Sequence, residues 1–260
     1  MKTIRFFVVG LFVSIVLTQT AYAQSSADQQ FLDGARQSYS TLKRQGLIEL
    51  KASVLPNWTL VFKDVPVKDR PALIRTASRL RFELDVDPNG TVHVTHSLLG
   101  PKPTGKVTAE AFDSIAKGVD LSITGFMMAW TPFMLSYLIP EKLDQFVLQD
   151  LVDHKVLTYK EGAVDVSLVI SKDYEIRELS TPQGTLKPFL KPYKSGFVLT
   201  GYEANNEDPV VGKVLLKVRI ESVLIQGLLL PKTVFMTGSS GSTPINIQLG
   251  LANYRLKKRI

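Results

Sequence analysis

Cysteine is absent from all 260 residues. That absence excludes disulfides, thiolate metal sites, a cysteine nucleophile and the lipid-bearing first residue of a bacterial lipoprotein. Histidine is scarce, with three in the chain. His93 and His96 are three apart on an expected strand, where side chains alternate between faces, so they cannot share a metal there. His154 stands alone beside Asp153. Neither a metal site nor a catalytic histidine is expected, and no cofactor is implied. The G-x-S-x-G elbow is missing too. Ser40-Thr-Leu-Lys43 has the spacing of a serine nucleophile with a lysine base, but its companion motifs are lacking and amphipathic helices produce this spacing readily. Gly100-Pro-Lys-Pro-Thr-Gly105-Lys106-Val107 nearly matches a phosphate-cradling loop. Val107 replaces the magnesium-binding hydroxyl, however, and Pro101 and Pro103 remove backbone donors. The chain reads as a non-enzyme.

What is present begins with a targeting segment. Lys2 and Arg5 precede an apolar core from Phe6 to Leu17, and Ala21-Tyr22-Ala23 supplies a small-x-small cleavage site, so residues 1–23 read as a signal peptide with Gln24 as the first mature residue. That core is shorter than a membrane span requires. The expected location is the periplasm, in soluble form. Losing the two cations Lys2 and Arg5 lowers the formal charge from +7 to +5, a mild excess. Arg255, Lys257, Lys258 and Arg259 form a local basic cluster that is a candidate contact for an anionic membrane surface, with a solvated tail as the alternative. Nucleic acid is not an expected partner in that compartment. Residues 24–260 are long enough to sustain one domain on its core alone.

Most of that domain reads as β structure. Val214, Leu216, Val218 and Ile220 alternate with Leu215, Lys217, Arg219 and Glu221, the chain turns at Gly227, and a strand reopens through Leu228 to Phe235. Leu80, Phe82, Leu84 and Val86 share one face of a hairpin that turns at Asp87-Pro88-Asn89-Gly90 and returns through Val92 and Val94, with Arg81, Glu83 and Asp85 on a wet face. Further strands are expected near 146–152, 155–159, 164–170, 174–179, 197–203 and 245–251, with an irregular proline-containing stretch near 185–192. A helix is expected over 28–45, where Phe31, Leu32, Ala35, Tyr39 and Leu42 recur at spacings of three and four, Asp28 sits as N-cap and Gly46 as stop. Pro71 sits early in a short helix near 69–78.

The other informative stretch is 108–140. Thr108 can cap a helix containing Phe112, Ile115, Ala116 and Val119, and residues 121–139 carry no charge. That stretch is a buried helix pair kinked near Pro132 or a bilayer span. The first is favoured because Pro132, Gly125 and the scattered hydroxyls interrupt it, and because a span would separate the mature N-terminus from the β-rich remainder. Met127, Met128, Trp130, Phe133, Met134 and Tyr137 are the candidate ligand contacts, since soft methionine-rich surfaces suit irregular apolar guests. A sheet with one wet face must cover its apolar face, and these helices are the large apolar surfaces available.

The C-terminal half, residues 145–260, carries a resemblance. Leu168-Val-Ile-Ser-Lys-Asp-Tyr-Glu-Ile-Arg-Glu-Leu179, Val223-Leu-Ile-Gln-Gly-Leu-Leu-Leu-Pro231 followed by a strand, and a last strand ending near Asn253-Tyr254 resemble the periplasmic lipoprotein-carrier superfamily, which includes lipoprotein-sorting chaperones. The resemblance implies an α+β fold in which a strongly curved antiparallel sheet, an incomplete β-barrel, is covered by helices acting as a lid, here about 108–140. It also implies a carrier or chaperone that takes a lipid or an acylated protein into the apolar space between them. The alternative function is a non-catalytic envelope scaffold or regulatory domain that binds a protein partner with the same fold.

Overall fold

The computed structural model describes residues 26–87, 89–101, 106–135, 138–143, 145–194, 196–208 and 212–259, with side chains in the segment after 105 described from Ala109. The expected signal peptide, the turn residue Pro88 and the candidate contact Tyr137 lie outside the described residues.

The architecture is α+β. Strands β1 (Leu47–Pro56), β2 (Leu80–Val86) and β3 (Val92–Leu98) form one meander; β4 (Phe146–Asp150), β5 (His154–Glu161), β6 (Val164–Ser171), β7 (Ile176–Thr181), β8 (Gly184–Tyr193), β9 (Gly196–Asp208), β10 (Gly212–Ile225), β11 (Leu228–Ser240) and β12 (Thr243–Lys258) form another. Pairing of β1 with β12 joins the two into a 12-stranded antiparallel sheet of order β3-β2-β1-β12-β11-β10-β9-β8-β7-β6-β5-β4. Strands consecutive in sequence are therefore neighbours in space with one exception. β3 and β4 lie at opposite edges, and the sheet is not closed.

Register sorts the side chains. Phe82 faces Val54 and Val54 faces Leu251 across β2, β1 and β12, while Leu157 faces Leu168 across β5 and β6, and all five are buried. The opposite face carries Glu83, Asp85, Lys51 and Arg255, as a period of two requires. The buried side chains of the sheet and helices form one continuous cluster.

The helices are α1 (Ser26–Gln37), a single turn α2 (Trp58–Val61), α3 (Arg70–Ala77) with Pro71 in its first turn as expected, and α4 (Lys106–Met134), which connects the two edge strands. α4 is one continuous helix, not the expected kinked pair. Pro132 falls in its last turn, where the missing N–H costs a single terminal bond and the chain leaves the helix soon afterwards. Among the described residues no helix is long and apolar enough to cross a membrane.

Two further expectations are corrected. α1 stops at Gln37, well short of residue 45, because the following residues are claimed by β9 and the end of α4. Phe197 N–H donates to Ser38 O (2.7 Å), Ser40 N–H donates to Phe197 O (3.2 Å), and Leu42 N–H donates to Met134 O (2.7 Å). The stretch near 185–192 is a strand, β8, despite Pro188 and Pro192, and its irregularity is confined to a register shift against β9 between Phe189 and Leu190. β8 pairs with β9 along its length but with β7 only through Gly184 to Leu186, so among the described residues most of one flank has no strand partner and prolines are tolerated there.

Candidate functional site

The candidate site lies between α4 and the apolar face of the sheet. Helical spacing puts Phe112, Ala116, Val119, Ile123, Phe126, Met127, Trp130, Phe133 and Met134 on the buried side of α4. Met127, Trp130 and Phe133 are each 1% exposed and Met134 is 2% exposed. A side chain beside a water-sized void, sealed or open, would present accessible surface to it, so these four are closely packed by their neighbours. Met128 is 67% exposed and does not share that interface. It follows Met127 by one residue, and about 100° of helical rotation carries it to the opposite side.

Both ends of α4 are fixed, by different means. At the C-terminal end Met134 O and Leu135 O accept from Leu42 N–H and Lys43 N–H (2.7 and 3.2 Å), Leu199 N–H of β9 points at Met134 Sδ (3.2 Å), and the Phe133 ring lies 6.4 Å from Tyr39. The chain beyond is held as well. Tyr159 Oη donates to Leu138 O (3.3 Å), and the buried Arg36 donates through Nε to Pro140 O (3.0 Å) while pairing with Asp33. The N-terminal half has one polar tie among the described residues, His96 Nδ1 to Asp120 Oδ2 at 2.6 Å, from edge strand β3. The other oxygen, Asp120 Oδ1, is buried without a hydrogen-bond partner. Beside that tie runs a groove of about 240 Å³ between β3 and α4, lined by Leu80, His96, Leu98, Phe112, Asp113 and Ala116.

Tyr39 is a functional-looking residue that the sequence suggested only as part of a helical stripe. It stands where β7 and β8 part, forms a parallel bridge with Phe197, accepts from Ile176 N–H at 2.8 Å and donates to Tyr174 O at 3.4 Å. Burial pushes its hydroxyl pKa well up, the hydrogen bond from Ile176 partly opposing this. Burial likewise raises Tyr202 and Tyr254, and lifts Tyr159 to about 12. Space for the Tyr174 ring comes from Gly34, where a Cβ would sit 2.6 Å from it.

Other sequence candidates are placed as follows. His96 faces α4 while His93 occupies the alternate side of β3. Ser40 Oγ accepts from Gln45 Nε2. Among the described residues no group of three or more metal-ligating side chains occurs. The basic cluster at the end of β12 has acidic neighbours: Arg255 pairs with Glu83 (3.5 Å), Lys257 lies opposite Glu49 in register, and Lys51 pairs with Glu49 and Asp85. Lys258 donates to Gln226 O. A second depression, about 400 Å³, lies over β8 to β11 and is lined by Lys187, Glu203, Asn205, Leu215, Lys217 and Thr237. Its Lys217–Glu203 pair, at 2.9 Å, is solvent-exposed. No protein-family model, no curated protein and no solved structure matches the chain.

Proposed function

We propose that the protein is a periplasmic carrier or chaperone that shelters a lipid, or the acyl chains of a lipidated protein, beneath α4, with α4 as a lid on a strongly curved, incomplete barrel. The observation that carries this reading is the position of α4. It joins the two edges of an otherwise sequential antiparallel meander and lays an adaptable face of Met127, Trp130, Phe133 and Met134 against the apolar side. Curvature is supported by neighbouring residues at the helix end. Leu135 reaches to 3.9 Å from where a Cβ on Gly90 would sit in the β2–β3 turn, while Met134 contacts Leu199 of β9. On a flat sheet β2 and β9 would be about 24 Å apart, five spacings of about 4.8 Å.

The close packing of Met127, Trp130, Phe133 and Met134 means that a guest must displace side chains. The weaker hold on the N-terminal half of α4, with the groove beside it, is where displacement would begin. The same packing favours the second reading, a non-catalytic envelope scaffold whose helix is simply core. Purified protein titrated with a fluorescent fatty acid separates the two. The carrier reading expects saturable binding that strengthens in Asp120→Asn, with hydrogen exchange rising in residues 109–120 and unchanged near Met134. No binding by either form, with a stoichiometric protein partner recovered from envelope extracts, would establish the scaffold instead.

A further inference from the structure

The outward side of α4 carries a pattern that neither reading uses. Ser114, Gly118, Leu121, Gly125 and Met128 are all exposed, Leu121 by 73% and Met128 by 67%, and Pro132 continues the stripe half-buried. A Cβ added at Gly118 or Gly125 would meet nothing within 4 Å. The spacing of four, three, four, three and four is that of a helix–helix seam, and two exposed large apolar side chains on one such seam are unusual for a solvated face.

The order of sizes is what points to an occupant. If a second α4 lies antiparallel about a two-fold axis level with residue 123, Leu121 falls opposite Gly125, Met128 opposite Gly118 and Ser114 opposite Pro132. Each large side chain then meets a glycine or a hydroxyl, which is the self-complementarity an isologous contact requires. Charge agrees with the orientation. Glu110, Asp113 and Lys117 sit on the N-terminal half, and residues 121–134 carry no charged side chain. An antiparallel pair sets the charged half of each helix beside the uncharged half of the other, whereas a parallel pair would set Glu110 and Asp113 against their own copies; antiparallel macrodipoles also attract.

We infer that this stripe is a self-association surface through which two copies of the chain pair antiparallel, α4 against α4. The contact is one helix wide and so belongs at the small, reversible end of interfaces. The proposal does not depend on α4 acting as a lid.

The cysteine-free sequence provides a clean test. Single variants Gly118→Cys and Met128→Cys, each placed where space is open, are mixed under mild oxidation. The expected result is a mixed disulfide between them in clear excess over either homodisulfide, because in the proposed register like positions are displaced by about 15 Å along the helix, beyond disulfide reach. Sedimentation of the unmodified protein should show concentration-dependent dimer, weakened at least tenfold by Leu121→Glu with an unchanged thermal melt. Homodisulfides forming as fast as the mixed one, or a protein that stays monomeric at millimolar concentration, would overturn the proposal. So would a monomer that binds neutral lipid vesicles through Leu121 and Met128, since the stripe would then face lipid instead of a second copy.

Discussion

Replacing Tyr39 by Phe removes one oxygen and keeps the ring, so the change can be worked from the hydrogen bonds alone. The hydroxyl accepts from the N–H of Ile176, a fully buried residue, at 2.8 Å. Its loss strands that donor where water does not reach, which costs about 1–3 kcal/mol. Packing against Phe133 and Phe197 persists, so no cavity penalty is added. A midpoint loss of about 2 kcal/mol lowers Tm by about 4–8 °C in a chain of this size. The pH dependence makes the prediction specific. Burial raises the Tyr39 pKa, so the folded state holds this proton more tightly than the unfolded state does. The associated stability is fully present below the ordinary tyrosine value near 10 and is lost as pH rises above it, by about 1.4 kcal/mol per pH unit. The variant lacks this loss, while other buried tyrosines affect both proteins equally. Urea unfolding should therefore show the wild type about 2 kcal/mol more stable at pH 8, with the gap closing between about pH 10 and 12. A gap below about 0.5 kcal/mol at pH 8, or one that stays constant up to pH 11, would refute the reasoning.

Two other substitutions probe the sheet and the interface. Gly238→Ala puts a Cβ 1.9 Å from Leu215 O at a φ of +154°, where backbone must move, so a loss of about 2–4 kcal/mol in urea titration is expected. Trp130→Ala empties a site that is 1% exposed and should cost about 3–5 kcal/mol, with the urea m-value unchanged; a cost under about 1 kcal/mol would show that α4 is not packed as described.

Much of the sheet is legible because two local signals coincide there. β2 and β3 pair Leu84 with Val94 around a turn with Gly90 at φ +86°, and β10 and β11 pair Leu224 with Leu229 around Gln226 and Gly227, both at positive φ. In each case alternation and turn chemistry lie within a few residues of each other. The end of α1 was hidden because its apolar spacing continues through Tyr39 and Leu42, yet the backbone of Ser38 and Ser40 on either side of Tyr39 bonds to Phe197, and Leu42 bonds to Met134, far away in sequence. β8 was hidden by prolines whose tolerance depends on an unpaired flank, a fact of topology. For the site, three- and four-residue spacing could have separated Met128 from Met127, since it aligns Met128 with Leu121 and Gly125. The His96–Asp120 tie joins elements 24 positions apart, and no local pattern announces it.

The magnitudes also limit how a guest could enter. Lifting all of α4 would expose Ile123, Phe126, Met127, Trp130, Phe133 and Met134, about 12 kcal/mol at about 2 kcal/mol each, besides Phe112, Ala116 and Val119. A sixteen-carbon acyl chain recovers about 13 kcal/mol at most, before any ordering cost. One chain therefore cannot offset release of the whole helix and its backbone ties to Leu42 and Lys43. Moving only the N-terminal half exposes Phe112, Ala116 and Val119, about 5 kcal/mol, and breaks one partly exposed hydrogen bond, His96 to Asp120, worth about 1 kcal/mol. A single acyl chain can drive that. If the protein is a carrier, a photoreactive fatty acid should label the Leu80, Leu98 and Phe112 groove and leave the Met134 end unmarked. Labelling centred on Met134 would mean that α4 leaves as a unit, against this energetic argument.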